Sequence, residues 1–269
     1  MGVPLQRWSG EGELTLLCAH ATGFCKETWE PFVDELRAAG GFWPVLGLDF
    51  RSHGAAAKLH PPVDWWTFAE DVAAAVADVE GPVAGIGHSM GAVALLMHEI
   101  LNPGTFVRLV LVEPIVIPAE QRERFRDDNP LARIAGRRRP TFASPAEARA
   151  NFASKPVFAR WDERALDGYI RGGLVQTDGD WSLACVPIDE AATFEGAGSV
   201  ELWDRLGEIR CPVLVVGGEH SDSHPRKFIE DIARQFPEGR SAFVAGATHL
   251  VPMEEPAALA RVVLAELTA

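Results

Sequence analysis

Residues 83–101 read VAGIGHSMGAVALLMHEIL, and this stretch decides the fold. Its first part, Val83 to Gly87, is a short apolar run typical of a strand buried on both faces. Its last part, Met90 to Leu101, has the length of a buried helix. Between them, Gly87-His88-Ser89-Met90-Gly91 has the pattern G-x-S-x-G. A sharp strand-to-helix turn at these residues predicts that the Ser89 hydroxyl stands above the end of a sheet.

The strand and helix pattern repeats on both sides of this turn. Apolar runs flanked by turn residues predict more strands, and apolar residues at helical spacing predict helices between them. The strands predicted in this way are Leu14 to His20, Trp43 to Phe50, Val107 to Val112, Pro212 to Gly217 and Ser241 to Ala245. Alternating strands and helices predict an α/β fold whose parallel sheet carries helices on both faces.

The alternation stops after Pro114 and resumes near Pro212. Residues 115–205 show no clear strand pattern, and their charged, Ala- and Arg-rich stretches suit short helices and loops. The sequence therefore predicts a core formed by residues 1–114 and 206–269 and a mostly helical cap formed by residues 115–205.

The composition narrows the choice of partners. The chain has 269 residues, 47% of them hydrophobic, and a net charge of −13. Such a chain can bury a substantial core, and its acidic balance argues against a surface that tracks nucleic acid or an anionic membrane. We expect a small-molecule substrate, no nucleic-acid partner and no membrane partner. The sequence does not indicate an oligomeric state.

Location and metal content are predicted from absences in the sequence. Met1 to Glu13 contains no apolar signal-peptide core, and the most apolar segments fall short of the roughly 20 residues that span a bilayer. Four cysteines without metal-site spacing indicate reduced thiols, namely Cys18, Cys25, Cys185 and Cys211. We expect a soluble, cytoplasmic protein, and no zinc-ligand set is visible.

A serine hydroxyl needs a base to take its proton, and His249 is the predicted base. It follows the last predicted strand, in Gly246-Ala247-Thr248-His249, and therefore lies at the carboxyl edge of the sheet. Our first choice for the acid that orients His249 is Asp222, which follows the penultimate strand and precedes His249 in the chain. Glu113, at the tip of the strand Val107 to Val112, is the alternative acid, and Glu219 is a third candidate.

Backbone N–H groups near Ser89 predict an oxyanion hole. The N–H of Met90 is unpaired at the start of its helix. The N–H of Thr22 lies in the turn His20-Ala21-Thr22-Gly23-Phe24, after the first predicted strand. We expect these two groups to stabilise a negatively charged oxygen together.

This combination of motifs resembles the α/β-hydrolase family over most of the chain outside residues 115–205. The resemblance rests on His20 to Phe24, Asp49-Phe50-Arg51-Ser52-His53-Gly54, Gly87 to Gly91, Asp222 and Gly246 to His249. It implies a mostly parallel sheet of eight strands, a cap inserted after the sixth strand, no cofactor and a Ser89-His249-Asp222 triad.

The sequence departs from the family pattern at three points. Ala21 stands where many members have glycine, and Ser52 interrupts the usual Arg-Gly-His-Gly turn. The acid loop is one residue longer than the commonest Gly-x-x-Asp spacing. The last departure keeps Glu113 open as the acid.

A serine nucleophile favours acyl transfer to water. We predict a serine hydrolase that cleaves small apolar or aromatic carboxylic esters through an acyl-enzyme. Carbon–carbon bond hydrolysis, lactone or thioester hydrolysis, and a non-catalytic ligand-binding protein are alternatives. The arginines in the predicted cap could bind a carboxylate on the substrate, so a substrate that carries one stays an alternative. The aromatic residues predicted to line the pocket are Phe24, Trp29, Trp65, Trp66, Trp161 and Trp181.

Overall fold

A computed structural model describes residues 2–59, 61–120, 122–123, 129–177 and 179–269. Its main feature is a sheet of seven strands. They are β1 (Leu5–Trp8), β2 (Thr15–Ala19), β3 (Val45–Leu48), β4 (Val83–His88), β5 (Phe106–Val112), β9 (Val213–Gly218) and β10 (Gly239–Val244). Their order across the sheet is β1-β3-β2-β4-β5-β9-β10.

The sheet is parallel except at one edge, where β1 pairs antiparallel with β3. Strands β2, β3, β4 and β9 are buried along their whole length, which explains their uninterrupted apolar sequences. The predicted mostly parallel α/β sheet is therefore confirmed. It has one strand fewer than the resemblance implied, because the described residues before Thr15 form only β1, followed by bends.

Helices cover both faces of this sheet. Five of them flank it, namely α1 (Glu30–Ala38), α2 (Trp66–Val76), α3 (Met90–Leu101), α8 (Arg226–Ala233) and α10 (Pro256–Thr268), and the short helix α9 (Val251–Glu254) precedes α10. The apolar residues of α1 and α10 form one core with one face of the sheet, and those of α2, α3 and α8 form a second core on the other face. None of the helices within the described ranges is long and apolar enough to cross a membrane.

The segment between β5 and β9 supplies most of a third hydrophobic cluster, separate from the two cores of the sheet. It contains helices α4 (Pro130–Ala135), α5 (Pro145–Ala153), α6 (Glu163–Gly172) and α7 (Pro187–Gly196). It also contains a small antiparallel sheet of β6 (Thr141–Phe142), β7 (Leu174–Thr177) and β8 (Asp180–Leu183), which the sequence did not predict because such short strands give no alternation. The insertion follows the fifth strand of the seven-stranded sheet. The division into a core of residues 1–114 and 206–269 and a cap of residues 115–205 stays a prediction.

A buried carboxylate fixes the turn that follows β2. Asp49 is completely buried, and its Oδ1 accepts the backbone N–H of Lys26 at 2.9 Å. Its Oδ2 accepts the Lys26 ammonium at 2.6 Å and the N–H of Ala55 at 2.9 Å. A Cβ on Gly54, which has a φ of 50°, would lie 2.2 Å from this carboxylate, so only glycine fits there. Asp49 therefore ties residues 20–26 to the end of β3.

We expect Asp49→Ala to lower the free energy of unfolding by about 3 kcal/mol, because it leaves the Lys26 ammonium without its buried partner. Urea unfolding followed by tryptophan fluorescence measures this. The matched control is Asp34→Ala, an exposed position of α1 whose loss is expected to change stability by less than about 0.5 kcal/mol. Equal effects of the two substitutions would contradict the role given to Asp49.

Candidate active site

Ser89 lies in the turn between β4 and α3. Its φ of 55° and ψ of −114° are strained for a residue other than glycine, and such strain clusters at functional positions. The neighbouring glycines make the turn possible. A Cβ on Gly87 would lie 2.5 Å from the Cα of Ala92, and a Cβ on Gly91 would lie 2.3 Å from the carbonyl oxygen of Ala19. The turn thus has the strand-to-helix geometry that the sequence predicted.

The imidazole of His249 is oriented by Glu113. The His249 Nδ1 lies 3.0 Å from the Glu113 Oε2. Glu113 is completely buried, directly follows β5 and has a φ of 50°, a second strained position beside the first. Its Oε1 accepts the N–H of Gly218 at 2.7 Å, and its Oε2 accepts the hydroxyl of Ser221 at 2.7 Å. Glu113 therefore has the geometry of an acid that orients a catalytic base.

Asp222, which the sequence favoured as the acid, does not occupy this position. Its side chain is exposed at the rim of the cavity, and the described part of the chain shows no hydrogen bond between it and His249. Counted from Gly218, the fourth residue of the Gly-x-x-Asp spacing is Ser221, which donates to Glu113 instead. The geometry therefore favours the alternative acid, Glu113, over Asp222. Glu219 accepts the N–H of Gly246 at 2.9 Å and supports the loop.

The surroundings of Glu113 hold it in the ionised form. Burial alone would raise its pKa, but the contacts with His224 and His249, and the charge of these rings when they are protonated, outweigh burial and lower the pKa to about 2. An ionised, buried carboxylate is the form that stabilises an imidazolium.

Two further histidines support the site without facing the cavity. The Nε2 of His88 lies 2.8 Å from the carbonyl oxygen of His249, and burial together with His249 lowers the pKa of His88 to about 3, so it donates there as a neutral ring. The Nε2 of His20 accepts the N–H of Phe50 at 3.2 Å, and its Nδ1 donates to the carbonyl of Ala21 at 2.8 Å. His20 thereby fixes the turn that carries Thr22.

The predicted oxyanion-hole groups are available for a ligand. Thr22 lines the same cavity as Ser89, and Met90 begins α3 directly after it. Among the backbone hydrogen bonds of the described residues, none uses the N–H of Thr22 or of Met90. Among the described residues, the hydrogen bonds of the His249 ring go to Glu113 and Ser223, and none joins it to the Ser89 hydroxyl. Catalytic hydrogen bonds are commonly long before substrate binds and tighten in the complex.

The site opens into a mostly apolar cavity of about 410 Å³. Of the six aromatic residues predicted to line it, Phe24 and Trp65 do so. The other four are not among the described lining residues because packing uses them elsewhere: Trp29 lies in the core under α1, Trp66 packs against Arg205, Trp161 lies behind Phe24, and Trp181 belongs to β8. The apolar lining residues that the sequence did not predict are Ala21, Ile115, Leu131, Val157, Phe194, Ala197 and Leu250.

Comparison with known proteins places the chain in a family. A model described as "Alpha/beta hydrolase family" matches residues 16–262, which is most of the chain. The chain belongs to the alpha/beta hydrolase family. Esterase YbfF of Escherichia coli (strain K12) is 26% identical over 222 residues, covering 81% of this chain and 80% of YbfF.

Solved structures of this family have the same fold. The peroxisomal alpha-beta-hydrolase Lpx1 of Saccharomyces cerevisiae superposes with a TM-score of 0.81 at 20% identity, over 96% of this chain and 77% of Lpx1. E-2-(acetamidomethylene)succinate hydrolase also gives a TM-score of 0.81, at 21% identity, over 98% of this chain and 94% of that one.

In this alpha/beta hydrolase, Arg138 is paired with a carboxylate of the cavity wall. The Arg138 guanidinium donates to the Glu190 carboxylate at 2.5 Å and to the Tyr169 hydroxyl at 2.5 Å. Glu190 itself lines the cavity. Arg138 is therefore not free to bind a substrate carboxylate, and Arg139 is paired with Glu147.

The lowered pKa of Glu113 predicts how stability depends on pH. Because its pKa is lower in the folded state, the Glu113 contribution is present above the ordinary glutamate pKa and is lost as the pH falls towards 2. We therefore expect wild type and Glu113→Gln to differ most in free energy of unfolding above pH 5 and to converge at lower pH. Urea unfolding from pH 7 to pH 3 measures this. Asp222→Asn is the control, and a constant difference for Glu113→Gln would contradict the prediction.

Proposed function

We propose that this protein is a serine hydrolase that cleaves small apolar or aromatic carboxylic esters through an acyl-enzyme. Ser89 is the nucleophile, His249 the base and Glu113 the acid. The observation that carries the proposal is the hydrogen bond from His249 to a buried, ionised Glu113, in a cavity that Ser89 also lines. The similarity to esterase YbfF supports the ester substrate.

Acylation begins with attack of the Ser89 oxygen on the ester carbonyl carbon. The His249 Nε2 takes the serine proton, and Glu113 stabilises the imidazolium through the Nδ1. The carbonyl oxygen becomes negatively charged and accepts hydrogen bonds from the N–H groups of Thr22 and Met90. As the tetrahedral intermediate collapses, His249 returns the proton to the departing alcohol oxygen, and the acyl group stays on Ser89.

Deacylation repeats these steps with water. His249 takes a proton from the attacking water, and the oxyanion is again stabilised by the same two N–H groups. When the carboxylic acid leaves, the proton passes from His249 to the Ser89 oxygen. Ser89 and His249 thus return to their starting protonation states, and these two residues and water make every proton transfer of the cycle.

The walls of the cavity favour a modest apolar acyl group. Phe24 and Trp65 offer flat apolar surfaces beside Ser89, and Leu131 and Phe194 close the cavity from the cap side. The pairing of Arg138 with Glu190 makes an anionic substrate less suitable. Thioesters, lactones and carbon–carbon bonds next to a carbonyl fit the same steps with another leaving group and are alternatives.

We retain a cytoplasmic location as part of the proposal.

The nucleophile is tested by covalent labelling. A fluorophosphonate is expected to add its mass to wild type and not to Ser89→Ala, because only an activated serine attacks phosphorus readily. Hydrolysis of p-nitrophenyl butyrate is expected to fall at least about 1000-fold in Ser89→Ala. Ser199→Ala, an exposed serine outside the cavity lining, is the control and is expected to behave like wild type. An unlabelled wild type would favour the non-catalytic ligand-binding alternative.

The identity of the acid is tested by replacing each candidate carboxylate with the corresponding amide. We expect Glu113→Gln to lower kcat about 1000- to 10,000-fold, because a neutral side chain no longer stabilises the imidazolium. Asp222→Asn is expected to keep a kcat close to wild type, since the hydrogen bonds of the His249 ring in the described residues go to Glu113 and Ser223 and not to Asp222. Circular dichroism checks that both variants fold. The reverse ranking of the two kcat values would return the role of the acid to Asp222.

A further inference from the structure

A second histidine contacts the Glu113 carboxylate. The Nδ1 of His224 lies 3.1 Å from the Glu113 Oε2, and the His224 ring stacks on the His249 ring with centroids 5.4 Å apart. His224 is 4% exposed. The hydrolytic steps above need one imidazole at Glu113, and they give His224 no part.

The hydrogen bonds of His224 decide which of its nitrogens carries a proton. Its Nε2 lies 3.0 Å from the carbonyl oxygen of Pro114, which can only accept, so Nε2 carries a proton. In the neutral ring, Nδ1 then has a lone pair, which can accept the hydroxyl hydrogen of Ser223 at 3.0 Å. The same Nδ1 lies 3.1 Å from the Glu113 Oε2, so a cation bound beside these two atoms would be attracted by both.

Four possible metal ligands converge at this point. They are the Nδ1 atoms of His224 and His249, the Oε2 of Glu113 and the Oγ of Ser223. The two nitrogens lie 3.1 and 3.0 Å from the Glu113 Oε2 and 3.0 and 3.2 Å from the Ser223 Oγ. Tetrahedral Zn²⁺ with bonds of about 2.0 to 2.1 Å separates its ligands by about 3.3 to 3.4 Å. The four separations would lengthen by only a few tenths of an ångström on binding Zn²⁺, and the ligand atoms of Glu113, His224 and His249 all lie within 4.8 Å of one another.

The supporting contacts suit a metal ligand. Imidazole and carboxylate are ligands that Zn²⁺ prefers, and a zinc-bound histidine usually donates its other N–H to a carbonyl or carboxylate, as the His224 Nε2 does to Pro114. Asp222 and Ser223 are exposed, and the His249 side chain is 24% exposed, so an ion can reach the cluster from solvent. The ligands come from three separate loops, which explains why no zinc spacing was visible in the sequence.

We propose that Glu113, His224 and His249 form a binding site for Zn²⁺ and that the bound ion reversibly inhibits the enzyme. The inhibitory part rests on the proposed function, and the binding part does not. In the active form, His249 carries its proton on Nδ1 and uses the Nε2 lone pair to deprotonate Ser89. Zn²⁺ takes the Nδ1 lone pair, so the proton moves to Nε2. With that proton in place, His249 cannot accept the proton of Ser89, and no proton is gained or lost overall.

Binding is tested in the Ser89→Ala protein, where hydrolysis plays no part. Equilibrium dialysis against micromolar ZnCl₂ followed by metal analysis is expected to give one Zn²⁺ per chain. Adding His224→Gln or, separately, Glu113→Gln is expected to weaken binding at least about tenfold. Adding His220→Gln, an exposed histidine of the same loop, is the control and is expected to leave binding unchanged. Binding that survives both ligand substitutions, or no binding to the parent, overturns the site.

Inhibition is tested with p-nitrophenyl butyrate. Micromolar ZnCl₂ is expected to inhibit wild type and His220→Gln, and EDTA is expected to restore both. The ZnCl₂ concentration that halves the rate is expected to be at least about tenfold higher for His224→Gln than for wild type, with each protein compared with its own zinc-free rate. Equal inhibition of His224→Gln and wild type overturns the proposal. If wild type hydrolyses no ester but the Ser89→Ala protein binds Zn²⁺, the metal site stands and the proposed function fails.

Discussion

The buried charge of Glu113 is the interaction on which the rest of the site depends. Placing a carboxylate in the interior costs several kcal/mol unless hydrogen bonds and opposite charge compensate it. Here the compensation comes from separate parts of the chain: the N–H of Gly218 at the end of β9, Ser221 and His224 in the following loop, and His249 after β10. The charge that orients the base therefore also holds the carboxyl edge of the sheet together.

Backbone strain and sheet pairing act together at this edge. Ser89 and Glu113, both with positive φ, end the neighbouring strands β4 and β5. The N–H of Ser89 donates to Val112 at 2.9 Å, and the N–H of Glu113 donates to Val216 at 2.8 Å. Strained residues persist only where their surroundings fix them, and here the parallel register does so. The relative position of nucleophile and acid is thus a property of the sheet, while only the base depends on a loop.

The sequence alone was sufficient to predict those elements whose pattern depends only on neighbouring residues. Buried strands and the elbow at Ser89 have patterns that depend on neighbouring residues alone, and they were predicted. Strand β1 was not, because LQRW at a half-exposed edge has no apolar run. The choice between Asp222 and Glu113 could not be made from spacing, since both follow strands that end at one edge. Its signal was Ser221 in the position of the usual aspartate. The cap residues of the cavity gave no signal, because an irregular segment has no period that identifies an inward face.

The position of the acid also explains the second histidine. When the residue after β5 supplies the carboxylate, the loop after β9 needs no carboxylate of its own. Ser221 supplies a hydroxyl at the place where an aspartate would stand, and three residues later His224 reaches the same oxygen. An aspartate at position 221 would put a second negative charge beside Glu113 and oppose its ionisation. Glu113 after β5 therefore forms one electrostatic arrangement with Ser221 and His224 in the loop after β9. As a consequence, the imidazoles of His224 and His249 meet at one carboxylate oxygen.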